Sequence, residues 1–372
     1  MAKGSRSDPV PWVARMAPYS PPEDLDLIAQ RAGRPPGELI KLDANENPYG
    51  PSPRVAEALA RFPFYHWYTD PDQKELRAAA SKYAGVPAAN IVLGNGSDEL
   101  IDLLCRMYLQ PGDEVVDCTP TFGMYLFSAE LCGGKRIEVP RTEDWHVDAD
   151  AVRASITPRT RIIFVATPNN PSGTWESDGL VEELLGLGPL VVLDEAYVEF
   201  AGHQSRVAMA QRHDNLVVLR TFSKWAGLAG LRVGYGSFPL SIAQELMKIK
   251  PPFNVNRAAE VAVLATLDDL PQVLRTVDQI VEERSRMGKL LEGIHGLRVW
   301  PSDGNFLLVQ VLAGRASDLK DYLITRGITV RAYSHPRLAD ALRISVGTPA
   351  QTDAVVSAID EWREMEADSG RG

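Results

Sequence analysis

Leu190-Val191-Val192-Leu193-Asp194-Glu195-Ala196-Tyr197 opens with four apolar residues and then delivers a carboxylate and a phenol. An unbroken apolar run of this length reads as a strand covered on both faces. The pattern recurs in Leu216-Val217-Val218-Leu219, which leads into Thr221-Phe222-Ser223-Lys224. Working outward, Ile91-Val92-Leu93, Val115-Val116-Asp117-Cys118, Lys135–Val139 and Ile162-Ile163-Phe164-Val165 supply further strands. Helical segments are expected at 72–84, Leu100–Tyr108 and about Gly123–Cys132. Short apolar strands alternating with helices predict an α/β domain with a mostly parallel sheet. In such sheets ligands bind beyond the C-terminal strand ends. The polar, turn-rich segments Gly94–Glu99, Thr119-Pro120-Thr121 and Thr167–Gly173 all follow strands.

After Pro251-Pro252-Phe253-Asn254 the texture changes. Residues 256–292 read as one long helix with Val273, Val277, Ile280 and Val281 on one side. Strand patterns at Phe306–Val311, Thr329-Val330-Arg331 and Leu342–Val346, with a helix at 317–326, predict a smaller α+β domain. The expected division is 1–48 as an N-terminal arm with a small-domain contribution, 49–255 as the large domain, and 256–372 as the connecting helix and C-terminal small domain. Residues 1–22 carry enough proline to read as an irregular arm before a helix start at Pro21-Pro22-Glu23-Asp24. Residues 365–372 are polar enough to fray.

An apolar content of 45% and a charged content of 24% are those of a water-soluble globular chain. A formal charge of -10 argues against nucleic acid as a partner, while leaving room for a local cationic pocket. Three cysteines (Cys105, Cys118, Cys132) offer no disulfide framework and suggest a reducing compartment. No membrane span or signal peptide is recognisable, so a cytoplasmic location is expected, with no membrane partner and no metal.

A carboxylate, a phenol and an amine delivered at successive strand ends are what a pyridine cofactor with a reactive aldehyde requires. Lys224 is placed to bond the aldehyde; its competing reading is a solvated surface lysine. Asp194 suits the ring nitrogen, where a negative charge favours the protonated ring, or it simply ends a strand. Tyr197 and the amide of Asn170 suit the ring oxygen, although Asn169-Asn170-Pro171-Ser172-Gly173 is also ordinary turn chemistry. Gly96-Ser97-Asp98 lies where a strand turns into a helix, so its backbone N–H groups can face a phosphate. Thr221, Ser223 and the forked cation of Arg232 are further phosphate donors. Phe122 can lie on the ring or be a core aromatic. Arg343, within Leu342-Arg343-Ile344, meets either an anionic ligand or a buried carboxylate, because an unpaired cation there is costly. Arg331 is similar.

In order along the chain, Asn45-Glu46-Asn47-Pro48, Tyr68-Thr69-Asp70-Pro71, Gly96-Ser97-Asp98-Glu99, Asn169–Gly173, Asp194-Glu195-Ala196-Tyr197, Thr221-Phe222-Ser223-Lys224 and Gly230-Leu231-Arg232-Val233-Gly234 resemble the fold-type I pyridoxal-phosphate aminotransferases. The set is most similar to the histidinol-phosphate aminotransferase family, over about residues 30–360. The resemblance implies pyridoxal 5'-phosphate as cofactor and a mixed, mostly parallel seven-stranded central sheet. It implies a homodimer with active sites at the interface, a small-molecule amino donor and a 2-oxo acid acceptor. By resemblance Lys224 bonds the cofactor, Asp194 contacts the pyridine nitrogen, and Tyr197 and Asn170 contact the ring oxygen. Gly96, Ser97, Asp98, Thr221, Ser223 and Arg232 fall in the phosphate region, and Tyr68 matches a tyrosine that reaches the other subunit's cofactor. Phe122 matches the stacking aromatic, commonly a tyrosine, and Thr69 stands where a proline is frequent. Arg343, helped by Arg331, would hold the substrate anion, with Asn47 and Tyr49 from the 42–50 loop beside it. The implied reaction converts histidinol phosphate and 2-oxoglutarate into imidazole acetol phosphate and glutamate. Aromatic amino acid transamination and a phosphothreonine-type decarboxylation are the alternatives.

Overall fold

The computed structural model describes residues 8–18 and 23–369. Much of the arm expected over 1–22, including Pro21-Pro22, and the last residues of the tail lie outside the described residues. Within the described part, Trp12 of the arm donates its indole N–H to the Leu131 carbonyl, and the final helix runs from Pro349 to Ser369. That helix therefore continues into the tail expected to fray.

Strands follow the chain as β1 (Ile40–Leu42), β2 (Ile91–Gly94), β3 (Glu114–Thr119), β4 (Lys135–Pro140), β5 (Thr160–Ala166) and β6 (Leu190–Asp194). They continue as β7 (Leu216–Thr221), β8 (Gly234–Ser237), β9 (Leu297–Val299), β10 (Phe306–Val311), β11 (Ile328–Ala332) and β12 (Ala341–Ser345). Seven form the large sheet, in the order β2-β8-β7-β6-β5-β3-β4. All its pairings are parallel except those of β8, which runs against both β2 and β7. The sheet is thus mixed and mostly parallel, and the C-terminal ends of β2, β3, β5, β6 and β7 share one edge.

Alternation at period two explains why the central strands are apolar throughout. Val116, Ile163, Val191 and Val218 face one helical layer, in a core that includes Leu76, Val181, Val263 and Val277. Val115, Ile162, Val192 and Val217 face the opposite layer, with Leu100, Leu104, Tyr125 and Leu246. Each face is roofed, so neither needs a polar residue.

The smaller domain holds a five-stranded sheet, β1-β11-β12-β10-β9. Its core gathers Leu42, Leu307, Val309, Ile328, Val330, Leu342 and Ile344 under Met287, Leu323 and Trp362. β1 comes from the N-terminal side of the large sheet and pairs parallel with β11. The long helix expected over 256–292 is instead two, Arg257–Asp268 and Leu270–Glu292. Pro271, in the first turn of the second helix, explains the break: it lacks an N–H and clashes with the preceding turn.

Candidate active site

Lys224 lies just beyond the end of β7, partly buried, and its Nζ donates to the Ala44 carbonyl at 2.8 Å. Burial, with the nearby Arg343 cation, holds this amine below the ordinary lysine range, at about 8. A lysine held by a carbonyl rather than a carboxylate, and easily deprotonated, is suited to bonding an aldehyde.

Asp194 ends β6 and is 5% exposed. Its Oδ2 accepts from the Tyr125 hydroxyl at 2.7 Å and its Oδ1 from the Ala196 N–H at 3.1 Å. Burial pushes the carboxyl up to about 6, and the Tyr125 hydrogen bond opposes that rise. Tyr197, on the turn that follows, is also buried, and its hydroxyl accepts from Asn45 Nδ2 at 3.1 Å. Asn45 sits in the left-handed region (φ 54°). Its N–H is taken by Ser345 Oγ and its carbonyl by Asn305 Nδ2. The smaller domain therefore fixes the residue that orients Tyr197.

An anion cradle forms where β2 turns into the helix Ser97–Tyr108. Gly96 precedes it at φ 80°, and a Cβ there would lie 2.5 Å from Arg232 Nη2. Only glycine lets the guanidinium close over the helix start. Arg232 is paired with Asp98 at 2.9 Å, so the Asp98 carboxylate orients the arginine while the backbone N–H groups of Ser97 and Asp98 remain as anion donors. Thr221 and Ser223 complete the edge, their hydroxyls 2.9 Å apart.

From the other side come Arg343 on β12 and Arg331 on β11, which are register partners. Directly opposed residues in an antiparallel pair share a face, so both guanidinium stems rise side by side. Arg343 is 6% exposed and forms no ion pair among the described residues. Its Nη1 donates to Asn170 Oδ1 at 2.7 Å and its Nη2 to the Asp43 carbonyl, while Nε is buried without a partner. The expected competitor, a buried salt bridge, is absent here. A buried cation with an unused donor fits an anionic ligand.

The remaining residues divide. Phe122 is half-buried, edge-on to Tyr125 at 5.6 Å between centroids. Asn47 has both ends of its amide engaged with backbone, donating to the Trp225 carbonyl and accepting from the Tyr49 N–H. It thus holds the segment after Lys224. Tyr49 is partly exposed beside it. Tyr68 stands apart: it is 78% exposed and stacks on Phe253 at 4.4 Å. Sequence reasoning did not assign roles to Tyr125 or Asn45. Tyr125 follows Phe122 by three residues, in the first turn of the helix Met124–Leu131, and that proximity was the available signal.

These features fit pyridoxal phosphate: a low-pKa amine, a buried carboxylate, phenol and amide donors, and an anion cradle closed by Gly96 and Arg232. The family described as aminotransferase class I and II matches residues 37–359. A histidinol-phosphate aminotransferase of Roseiflexus castenholzii is 48% identical over 360 residues, covering 94% of this chain and 97% of its own. The chloroplastic histidinol-phosphate aminotransferase of Nicotiana tabacum is 44% identical, over 94% of this chain and 85% of its own. The crystal structure of histidinol-phosphate aminotransferase from Sinorhizobium meliloti in complex with pyridoxal-5'-phosphate superposes with a TM-score of 0.86 at 27% identity, covering 97% of this chain and 99% of that one.

Proposed function

The chain belongs to the class I and II aminotransferases, within the histidinol-phosphate aminotransferase family, and from that membership we propose that it moves the amino group of histidinol phosphate to 2-oxoglutarate, using pyridoxal 5'-phosphate. The products are imidazole acetol phosphate and glutamate. The observation that carries this reading is the Arg331–Arg343 pair on one face of adjacent strands. Two cations on one face match a phosphate monoester near two negative charges, and the same pair suits a carboxylate of 2-oxoglutarate.

Bound at Lys224, pyridoxal phosphate supplies an aldehyde for the amine and a protonated ring that takes up the electron pair left on the substrate carbon. The chain supplies the rest. Lys224 Nζ, freed from the cofactor once the substrate amine has taken its place and with its pKa lowered to about 8, would be the base for the substrate α-proton. Asp194, steadied by Tyr125, keeps negative charge at the ring nitrogen. Tyr197 and Asn170 serve the ring oxygen. Ser97, Asp98, Thr221, Ser223 and Arg232 hold the phosphate, with Asp98 acting through its N–H and through Arg232. Phe122 packs against the ring, and Asn47 and Tyr49 border the substrate.

A homodimer is supported by the exposed aromatic run around Phe64, Tyr65, Trp67 and Tyr68. Within it Tyr68 is set to serve the partner's site. The three free thiols fit a reducing cytoplasm.

The test is a substrate panel of histidinol phosphate, phenylalanine, tyrosine and phosphothreonine, with and without 2-oxoglutarate. Histidinol phosphate should give the highest kcat/KM. A higher value for phenylalanine would move the assignment to aromatic amino acids, and carbon dioxide release without amino transfer would move it to decarboxylation.

A further inference from the structure

The segment after β11, Tyr333-Ser334-His335-Pro336-Arg337-Leu338, has no role in the chemistry described above. It bridges the two domains, with Leu338 packed on Leu308 and Ala341 and Arg337 reaching the large one. Arg337 donates to two backbone carbonyls of the large domain, Arg141 O through Nη1 and Thr142 O through Nη2 at 2.7 Å. Its guanidinium also covers the Trp145 ring, 4.6 Å from the centroid. Trp145 is buried at φ 68°, a conformation that an L-residue holds only when its surroundings impose it. Trp145, Leu308, Leu338 and Ala341 form a small separate core, and Tyr333 packs on it.

At the inner end of the segment the Tyr333 hydroxyl lies 3.4 Å from Asn170 Oδ1. Arg343 Nη1 reaches the same oxygen at 2.7 Å. Two donors on one end of an amide decide its orientation, because the reversed amide would set N–H groups against both. Nδ2 is then turned away from them and is the end available to a ligand.

The two donors are not equivalent. Arg343 is a cation in the anion pocket, so an anionic substrate competes with Asn170 for it. Tyr333 carries no charge; its ring packs on the Trp145 core that Arg337 covers, with the Arg331 guanidinium 5.9 Å from its centroid.

We propose that Tyr333 is a positioning residue that keeps the Asn170 amide aimed at the cofactor ring oxygen while substrate engages Arg343, and that Arg337 holds Tyr333 in place by clamping the 141–145 loop. This rests on the pyridoxal phosphate reading above. An N–H donor favours the anionic ring oxygen, so a loosened Asn170 makes the bound chromophore easier to protonate.

The experiment is a pH titration of the visible absorbance of the reconstituted holoenzyme, with and without saturating succinate as a dicarboxylate for the arginine pocket. Parent, Tyr333→Phe and Arg337→Ala proteins are compared. Loss of one neutral hydrogen bond is worth about 2- to 10-fold, so the midpoint in Tyr333→Phe should rise by roughly 0.3–1 pH unit. The rise should be larger with succinate present, when Arg343 is drawn away. Arg337→Ala should shift the midpoint the same way, and Arg337→Lys, which can still reach one carbonyl, should restore part of it. Tyr333→Phe removes a single oxygen, so it decides the matter even if Arg337→Ala does not fold. Superimposable parent and Tyr333→Phe curves in both conditions overturn the proposal alone. A parent protein with no bound-cofactor band overturns the functional reading as well.

Discussion

Tyr125 donates its hydroxyl to Asp194 Oδ2 at 2.7 Å, joining the helix Met124–Leu131 to the end of β6 within a buried site. The tyrosine is itself fully buried and stacks flat on Phe164 at 4.7 Å. Its position is therefore set by the core, and the carboxylate inherits that rigidity.

Asp194 should make the cofactor-free protein less stable at neutral pH. Its folded-state pKa of about 6 lies above the ordinary 3.8, so the folded chain keeps a proton that the unfolded chain releases. Stability is then lost as pH rises from about 4 to about 6, by up to about 3 kcal/mol. Asp194→Asn should raise the thermal midpoint of the apoprotein at pH 7, with the difference closing at pH 4. Equal midpoints at pH 7 would refute the burial argument. Tyr125→Phe removes a donor that favours the ionised form and should steepen the parent's pH dependence.

Lys224 should acquire its reactivity near neutrality. Its amine sits at about 8 because burial and Arg343 disfavour the ammonium. The rate of borohydride-trappable attachment of pyridoxal phosphate to the apoprotein should climb with pH and level off near 8. A bend near the ordinary lysine value would show that the amine is solvated. Lys224→Ala should abolish both attachment and turnover.

Arg343→Ala should reduce kcat/KM for anionic substrates by about 10- to 150-fold, the value of a hydrogen bond to a charged group. Arg343→Lys keeps the charge but loses the fork, and should recover only part of the loss. A steady-state comparison with a substrate lacking the distal anion checks this, because its rate should fall much less.

Gly173→Ala should destabilise the loop that carries Asn170. Gly173 has φ 77°, and a Cβ there would lie 2.1 Å from Ser302 Oγ. The left-handed conformation alone costs about 1–2 kcal/mol for an L-residue. The clash with the smaller domain adds to that. Ser302→Gly in the same background should relieve only the side-chain part of the clash, because the Ser302 Cα would still lie 2.7 Å from the added Cβ, read as a partial return of the thermal midpoint. Full recovery would show that the backbone is unstrained.

The large sheet was legible because its buried strands are short, uniformly apolar and each followed by polar turn residues. β8 was not: Gly234-Tyr235-Gly236-Ser237 has neither alternation nor β-branched residues. It is glycine-rich because neighbours come close, with a Cβ on Gly234 only 2.6 Å from the Ser97 nitrogen. β1 and β9, at three residues each, are too short for any period to register. The break between Asp268 and Leu270 was readable from Pro271, and the apolar spacing around it masked that signal.

The chain's order of residues was enough to single out Lys224, Asp194, Tyr197, Asn170 and Arg232 as candidates for one chemical set, because the first four lie at or just beyond strand ends and Arg232 lies just before β8, which runs the opposite way. Partners separated by long stretches of chain were beyond it. Whether Arg343 met a carboxylate or stayed uncompensated depended on how two sheets were brought together. So did the support of Tyr197 by Asn45, whereas the pairing of Arg343 with Arg331 and the turning of Asp98 towards Arg232 depended on which strands became neighbours within a single sheet. Local patterns record backbone propensity and burial, which act over a few residues. Electrostatic pairing and hydrogen bonding across the site depend on distances of a few ångströms between distant segments, and those distances exist only once the core has packed.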